Sequence, residues 1–148
     1  MRPSIPCCDL PARVGETFCS RNPVVVTAEM VRRFADLTGA DGWMHVDAER
    51  AAATPLGRAT VQGLLTLALA PRLETDIWTV AARDAIGYGL DRVRFPAPMF
   101  VGDELRLAIE VTAAELVDGV VHARLAYRFT SAGPKPVCVA EQIVRYLP

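Results

Sequence analysis

The chain carries no run of lysine or arginine, and across its 148 residues 16 basic side chains meet 17 acidic ones, for a formal net charge of -1. That balance argues against a nucleic-acid surface and leaves small molecules or other proteins as the expected partners. No apolar stretch has the length of a bilayer-spanning helix: Thr60 to Ala70 is about half of what is needed, so no membrane insertion is expected. The opening residues Met1 to Pro6 lack the apolar core of a secretory signal, which predicts a cytoplasmic chain with reduced thiols. Cys7, Cys8, Cys19 and Cys138 show no CxxC or other metal-ligand spacing, and adjacent Cys7 and Cys8 would bridge only under strain. Ordinary thiols are expected, with no metal and no bound cofactor. Repeats, linkers and low-complexity tracts are also missing, so residues 1–148 read as one globular domain.

What the chain does have is apolar residues, 51% of the total, concentrated in Thr60-Val61-Gln62-Gly63-Leu64-Leu65-Thr66-Leu67-Ala68-Leu69-Ala70. A helix from about Thr60 to Glu74 would be apolar on nearly every face and must be buried within protein. The C-terminal half supplies the wrapping. Leu105, Leu107, Ile109 and Val111 alternate with Arg106, Ala108, Glu110 and Thr112, the period of a half-buried antiparallel strand. Asp118-Gly119 is a hairpin signal, and the returning strand puts Val121, Ala123, Leu125, Tyr127 and Phe129 on one face and His122, Arg124 and Arg128 on the solvated one. A strand from Ala85 to Phe95, interrupted by Gly87 and Gly89 and stopped by Pro96-Ala97-Pro98, and a last strand from Val137 to Leu147 complete the set. The prediction is an α+β fold in which an antiparallel sheet closes around a central apolar helix, the hot-dog arrangement. One small sheet covers only one side of such a helix, so a homodimer is expected.

The N-terminal half reads as an extended piece from about Glu16 to Val26, then a helix capped by Thr27, with Met30, Val31, Phe34, Leu37 and Thr38 at helical spacing and Gly39 as its end. Ala40 to Asp47 has no period and is predicted to be a loop. Asp47 caps a short helix from Ala48 to Ala53, and Thr54-Pro55-Leu56-Gly57 turns into the central helix. Gly63 lies near the start of that helix, where unpaired N–H groups point outward toward any anion, and this end is the predicted active site.

Phe34-Ala35-Asp36-Leu37-Thr38-Gly39, Trp43-Met44-His45-Val46-Asp47, Ala51, Pro55-Leu56-Gly57 and Gly63 together resemble the signature of the MaoC-like (R)-specific enoyl-thioester hydratases. Tyr88-Gly89-Leu90, Val93 to Pro98, Val101-Gly102, Cys138 to Glu141 and Ile143 to Tyr146 resemble its nodulation-protein-N subgroup. The similarity runs over essentially the whole chain. It implies a hot-dog fold, dimerisation, and acyl chains presented as thioesters of coenzyme A or of an acyl-carrier protein.

Adding or removing water across a thioester's α,β positions needs a carboxylate and an imidazole around one water, plus N–H groups for the enolate oxygen. By the resemblance, His45 is the imidazole and Gly63 supplies the N–H. The family's aspartate directly follows the Thr-Gly pair, five residues before the histidine, and that position is Ala40 here, with the aspartate displaced to Asp41. Gln62 stands where the family usually has histidine. Two residues are candidates for the missing carboxylate: Asp41, made adaptable by Gly42, and Asp91, whose alternation with Val93 and Phe95 predicts an inward side chain paired with Arg92 or Arg94 or used in catalysis. Trp43 is a pocket wall or a core plug, while Arg58, Arg92 and Arg94 are candidates for the phosphates of a coenzyme arm. The activity implied is a hydratase or dehydratase of enoyl or 3-hydroxyacyl thioesters, or a derived isomerisation or cyclising addition. The alternative is a non-catalytic hot-dog subunit that binds an acyl chain or supports an active partner.

Overall fold

The computed structural model describes residues 2–148. In chain order its elements are β1 (Ser4–Pro6), a 3-10 helix (Cys7–Arg13), β2 (Thr17–Cys19), β3 (Val24–Val25), α1 (Ala28–Thr38), α2 (Trp43–Val46), α3 (Ala48–Ala52), α4 (Gly63–Ala68), α5 (Ala70–Ile77), β4 (Thr79–Ala81), β5 (Asp84–Arg94), β6 (Glu104–Val117), β7 (Val120–Thr130) and β8 (Cys138–Leu147). Strands β2, β6, β7, β8 and β5 lie side by side in that order, all antiparallel, and β3 pairs a further length of β6. The alternation in β6 and β7 is realised residue by residue: Leu105, Leu107, Ile109, Val111, Val121, Ala123, Leu125, Tyr127 and Phe129 are buried. Asp118 and Gly119 both take positive φ, 49° and 79°, the geometry a two-residue hairpin needs to match strand twist. The inner face closes on Leu65, Ala70, Leu73 and Ile77 from the helical run, and each large side chain so buried contributes about 1.5–3 kcal/mol. This is the hot-dog arrangement.

Several local expectations are corrected. The central helix is not one piece from Thr60 to Glu74. It is α4 and α5, separated at Leu69, with Thr60 outside it in a bridge to Phe100. Pro71 explains the break, because its ring nitrogen has no proton to donate to the preceding turn. Leu64 is 62% exposed, so one face of this run is open to solvent in the protomer. The extended piece from Glu16 to Val26 is two strands, because Asp76 of α5 holds the Arg21 and Asn22 N–H groups at 2.5 and 2.8 Å and turns the chain there. Part of the loop from Ala40 to Asp47 is the helical turn α2, four residues and too short to show a period. The parallel pair β1–β4 was not foreseen. Capping is as read: Thr27 Oγ1 accepts from the Met30 N–H, Gly39 ends α1 at φ 74°, and the Asp47 carboxylate accepts from the Arg50 N–H. All four cysteines are free thiols. Among the described residues no helix is long and apolar enough to cross a membrane.

Candidate active site

Gly42 has no side chain, and the His45 ring lies where it can pass over that residue, 3.6 Å from the place a Cβ would occupy. The His45 N–H donates to the Gly42 carbonyl at 2.8 Å, which closes the turn and aims the ring inward. Its Nδ1 then sits 2.9 Å from the Thr60 carbonyl oxygen and 3.1 Å from Thr60 Oγ1. A carbonyl can only accept, so Nδ1 carries the proton and Nε2 keeps a free lone pair in the neutral ring. Thr60 therefore sets the tautomer that a general base requires. The sequence offered only a weak signal for it, a threonine just ahead of an apolar run.

Gln62 explains how the neighbouring loop is held. Its Nε2 donates to the Val31 carbonyl at 3.1 Å and to the Ala40 carbonyl at 3.2 Å, tying α1 and the loop to the start of α4. Because the amide is turned that way, it makes no cap on α4, and its buried Oε1 has no partner among the described residues. The Gly63 N–H, first in α4, likewise has no acceptor among them. The Phe95 ring covers that glycine so closely that a Cβ there would stand 2.9 Å from it.

By the resemblance, His45 and Gly63 act on one thioester. In the protomer they line neighbouring cavities. His45 borders one of about 340 Å3 with Arg32, Gly57, Arg58 and Val101. Gly63 borders one of about 250 Å3 with Met44, Thr60, Phe95 and Met99. Thr60 is the joint between them, bonded to His45 on one side and lining the Gly63 cavity on the other.

The remaining candidates scatter. Asp41 is exposed at the entry to α2, with no hydrogen bond among the described residues. Asp91 does not point inward, and it pairs with neither Arg92 nor Arg94. It accepts from Arg124 at 3.1 Å on the outer face of the sheet, where Glu141 also holds that guanidinium. The register irregularity between Asp91 and Arg94 accounts for the error, since a bulge breaks strict alternation, and Arg92 takes φ 53° within it. Trp43 is partly exposed rather than a core plug, and carries the Arg50 guanidinium 4.4 Å above its ring. Arg58 faces the His45 cavity but is partly engaged, donating to Asp103 at 2.6 Å and to the Val101 carbonyl at 2.8 Å. His122 lies on the outer sheet face as read.

Comparison with known proteins joins these features. The chain is 46% identical over 142 residues to the 3-hydroxyacyl-thioester dehydratase Z of Mycobacterium tuberculosis, covering 94% of each chain. It is 34% identical over 101 residues to Nodulation protein N of Rhizobium leguminosarum, covering 66% of this chain and 63% of that protein. Among solved structures, an (R)-hydratase from A. caviae superposes with a TM-score of 0.75 at 29% identity, covering 91% of this chain and 96% of that one. Residues 9–132, a span that holds the His45 turn, the start of α4 and most of the sheet, match the MaoC like domain, and the chain belongs to that family.

Proposed function

We propose that the protein hydrates enoyl thioesters and dehydrates 3-hydroxyacyl thioesters, carried on coenzyme A or an acyl-carrier protein. The single observation that supports this most is the His45 ring, with Nδ1 bound to the Thr60 carbonyl, no protein partner for Nε2 among the described residues, and the side chain lining a cavity. In hydration, Nε2 takes a proton from water as the oxygen bonds to the β-carbon, electron density moves to the thioester oxygen, and the α-carbon then receives a proton. The Gly63 N–H is the donor for that oxygen, and Phe95 must move for a carbonyl to reach it. Asp41 is the carboxylate nearest in sequence to the family position and, in this reading, orients the water. Asp91, held by Arg124 on the far face, has no part in this reading. Arg58 and Arg32 border the His45 cavity, which supports a role for them in meeting an anionic carrier arm. The likeness to a 3-hydroxyacyl-thioester dehydratase of Mycobacterium supports the substrate class.

A homodimer belongs to the same proposal. Strand β5 lies at an edge of the sheet, with Ile86, Tyr88 and Leu90 exposed along it and Leu64 uncovered on the adjacent helix. A second copy along that edge covers these side chains. Sedimentation at micromolar concentration should give the dimer mass, and a stable monomer would remove this part.

Ala40 favours a second reading, a hot-dog subunit without its own catalysis, since the side chain at the family's carboxylate position is a methyl group. Hydration of a short enoyl thioester decides between them. His45→Ala should lose about 10²–10⁴ in rate and Asp41→Asn a comparable factor. An inert wild type made active by Ala40→Asp would instead establish the second reading.

A further inference from the structure

The cavity that Gly63 borders has no titratable side chain on its lining among the described residues. Met44, Leu56, Val61, Phe95 and Met99 make it apolar, and the O–H groups on it belong to Thr60 and Thr66. Hydration must nevertheless deliver a proton to the α-carbon, which is two bonds from a thioester oxygen held at the Gly63 N–H and so lies in this cavity. The imidazole that takes the water's proton borders the next one. A hydroxyl shared by both sides would join them.

Thr66 does not do this. Its Oγ1 donates back to the Gln62 carbonyl at 3.4 Å, with the Met99 sulfur 4.0 Å away, and it makes no bond to His45. Thr60 Oγ1, by contrast, lies 3.1 Å from His45 Nδ1, so the Nδ1 proton is shared between that oxygen and the Thr60 carbonyl at 2.9 Å. The hydroxyl's own proton is held weakly: its acceptor is the Met44 carbonyl at 3.4 Å, which already takes the Thr60 N–H at 2.9 Å. Turning from that long bond into the cavity costs little, and at 7% exposure Thr60 has little bulk water competing for it.

We propose that the Thr60 hydroxyl is a catalytic residue, the conduit that carries a proton from His45 to the α-carbon. The inference rests on the hydration reading and names the donor that reading requires. As the water oxygen bonds to the β-carbon, its O–H bond breaks and the proton goes to Nε2. The imidazolium gives its Nδ1 proton to Thr60 Oγ1 while Oγ1 gives its own to the α-carbon, whose new C–H bond uses the enolate's electron pair as the thioester carbonyl re-forms. One water has been added, and the ring is neutral with its proton on Nε2. Nδ1 then sets a lone pair against the Thr60 carbonyl, which favours return of a proton through the same hydroxyl from the next water to enter, as Nε2 releases its own to solvent. Dehydration runs the same steps in reverse.

The probe is the N-acetylcysteamine thioester of crotonic acid, with kcat and KM measured for the full chain as wild type, His45→Ala, Thr60→Val, Thr60→Ala and Thr60→Ser. Valine keeps the shape and the backbone carbonyl but not the hydroxyl, so kcat should fall about 10²-fold or more with KM nearly unchanged. Alanine, which cannot clash, should lose a similar factor, and serine should recover most of it. Nitrogen NMR of the His45 ring should show the proton still on Nδ1 in Thr60→Val. If Thr60→Val stays within about threefold of wild type while His45→Ala is inactive, the conduit is overturned and the hydration reading stands. Thr60→Ser as slow as Thr60→Val, or a tautomer shifted together with the lost rate, would also overturn it and leave the hydroxyl as a support for the ring. A wild type inert toward the probe sinks both readings.

Discussion

The two ends of the run from Gly63 to Ile77 are built by different means. At the Gly63 end the polar groups come from loop and cap: His45 from a four-residue turn, the Thr60 carbonyl, the Gln62 amide and the Gly63 N–H. At the Glu74 end they come from regular structure, with Tyr127 and Gln142 on adjacent paired strands and Glu74 on a helix packed against them. A loop site can be re-aimed by one residue. A strand site is held in register by every pairing along the ladder.

The largest effect expected from this contrast is on the sheet side. Phe129→Ala opens a hole beneath a fully buried ring that sits edge-on to Tyr127 at 6.1 Å, and should cost about 3–5 kcal/mol by denaturant unfolding. It should also loosen the Glu74 end before the His45 end, so His45-dependent turnover per folded molecule should change little. Equal damage at both ends would mean that the two are not separately supported.

On the loop side, Gln62→Leu deletes the donors to Val31 and Ala40 but also removes an unpaired Oε1. The two effects partly offset, so a loss of about 1 kcal/mol is expected rather than the full cost of two orphaned carbonyls. Turnover should fall further than stability suggests, because the Ala40–Asp41 segment loses its anchor. Unchanged kinetics would show that the loop holds its shape without Gln62.

Smaller again is Gly63→Ala. The new methyl meets the Phe95 ring at 2.9 Å, but that ring is 42% exposed and can swing aside, so thermal stability should barely move. Where the displaced ring goes decides the kinetic outcome: kcat/KM should drop about tenfold if it lands in the thioester's path, one factor of ten being about 1.4 kcal/mol. Combining Gly63→Ala with Phe95→Ala should recover most of the loss, and additivity of the two changes would deny the contact.

The same contrast explains how much was legible in the sequence. The sheet's inner residues, the Asp118-Gly119 turn and the Thr27, Gly39 and Asp47 caps follow from period and local chemistry, and the structure has them in place. The break at Leu69 was written in Pro71 but outweighed by the apolar run around it. At the site, His45 and Gly63 could be singled out, but not the Thr60 contact that orients the ring, which depends on two segments meeting 15 residues apart. Asp91 was misplaced because a bulge is invisible to alternation counting, and Glu74 was read only as the end of a helix.

The smallest effect separates two carboxylates on one helix by pH. Asp76 lies half-buried at the surface and accepts from the Asn22 and Arg21 N–H groups, which hold it below its ordinary 3.8, so the folded state binds fewer protons than the unfolded one. Its contribution is present above that pH and lost as pH falls through the folded value. Glu74 has the opposite sign: desolvation lifts it above 4.5, the folded state binds more protons, and stability is lost as pH rises from 4.5 through the raised value. Thermal melts across the acid range should therefore show Asp76→Asn weakest against wild type at neutral pH and converging with it in acid. Glu74→Gln should match wild type in acid and melt above it as pH rises past the window. A Glu74→Gln curve parallel to wild type at every pH would mean that the carboxyl is hydrated rather than desolvated, and the strand-built end would lose the dry wall on which its contrast with the loop-built end depends.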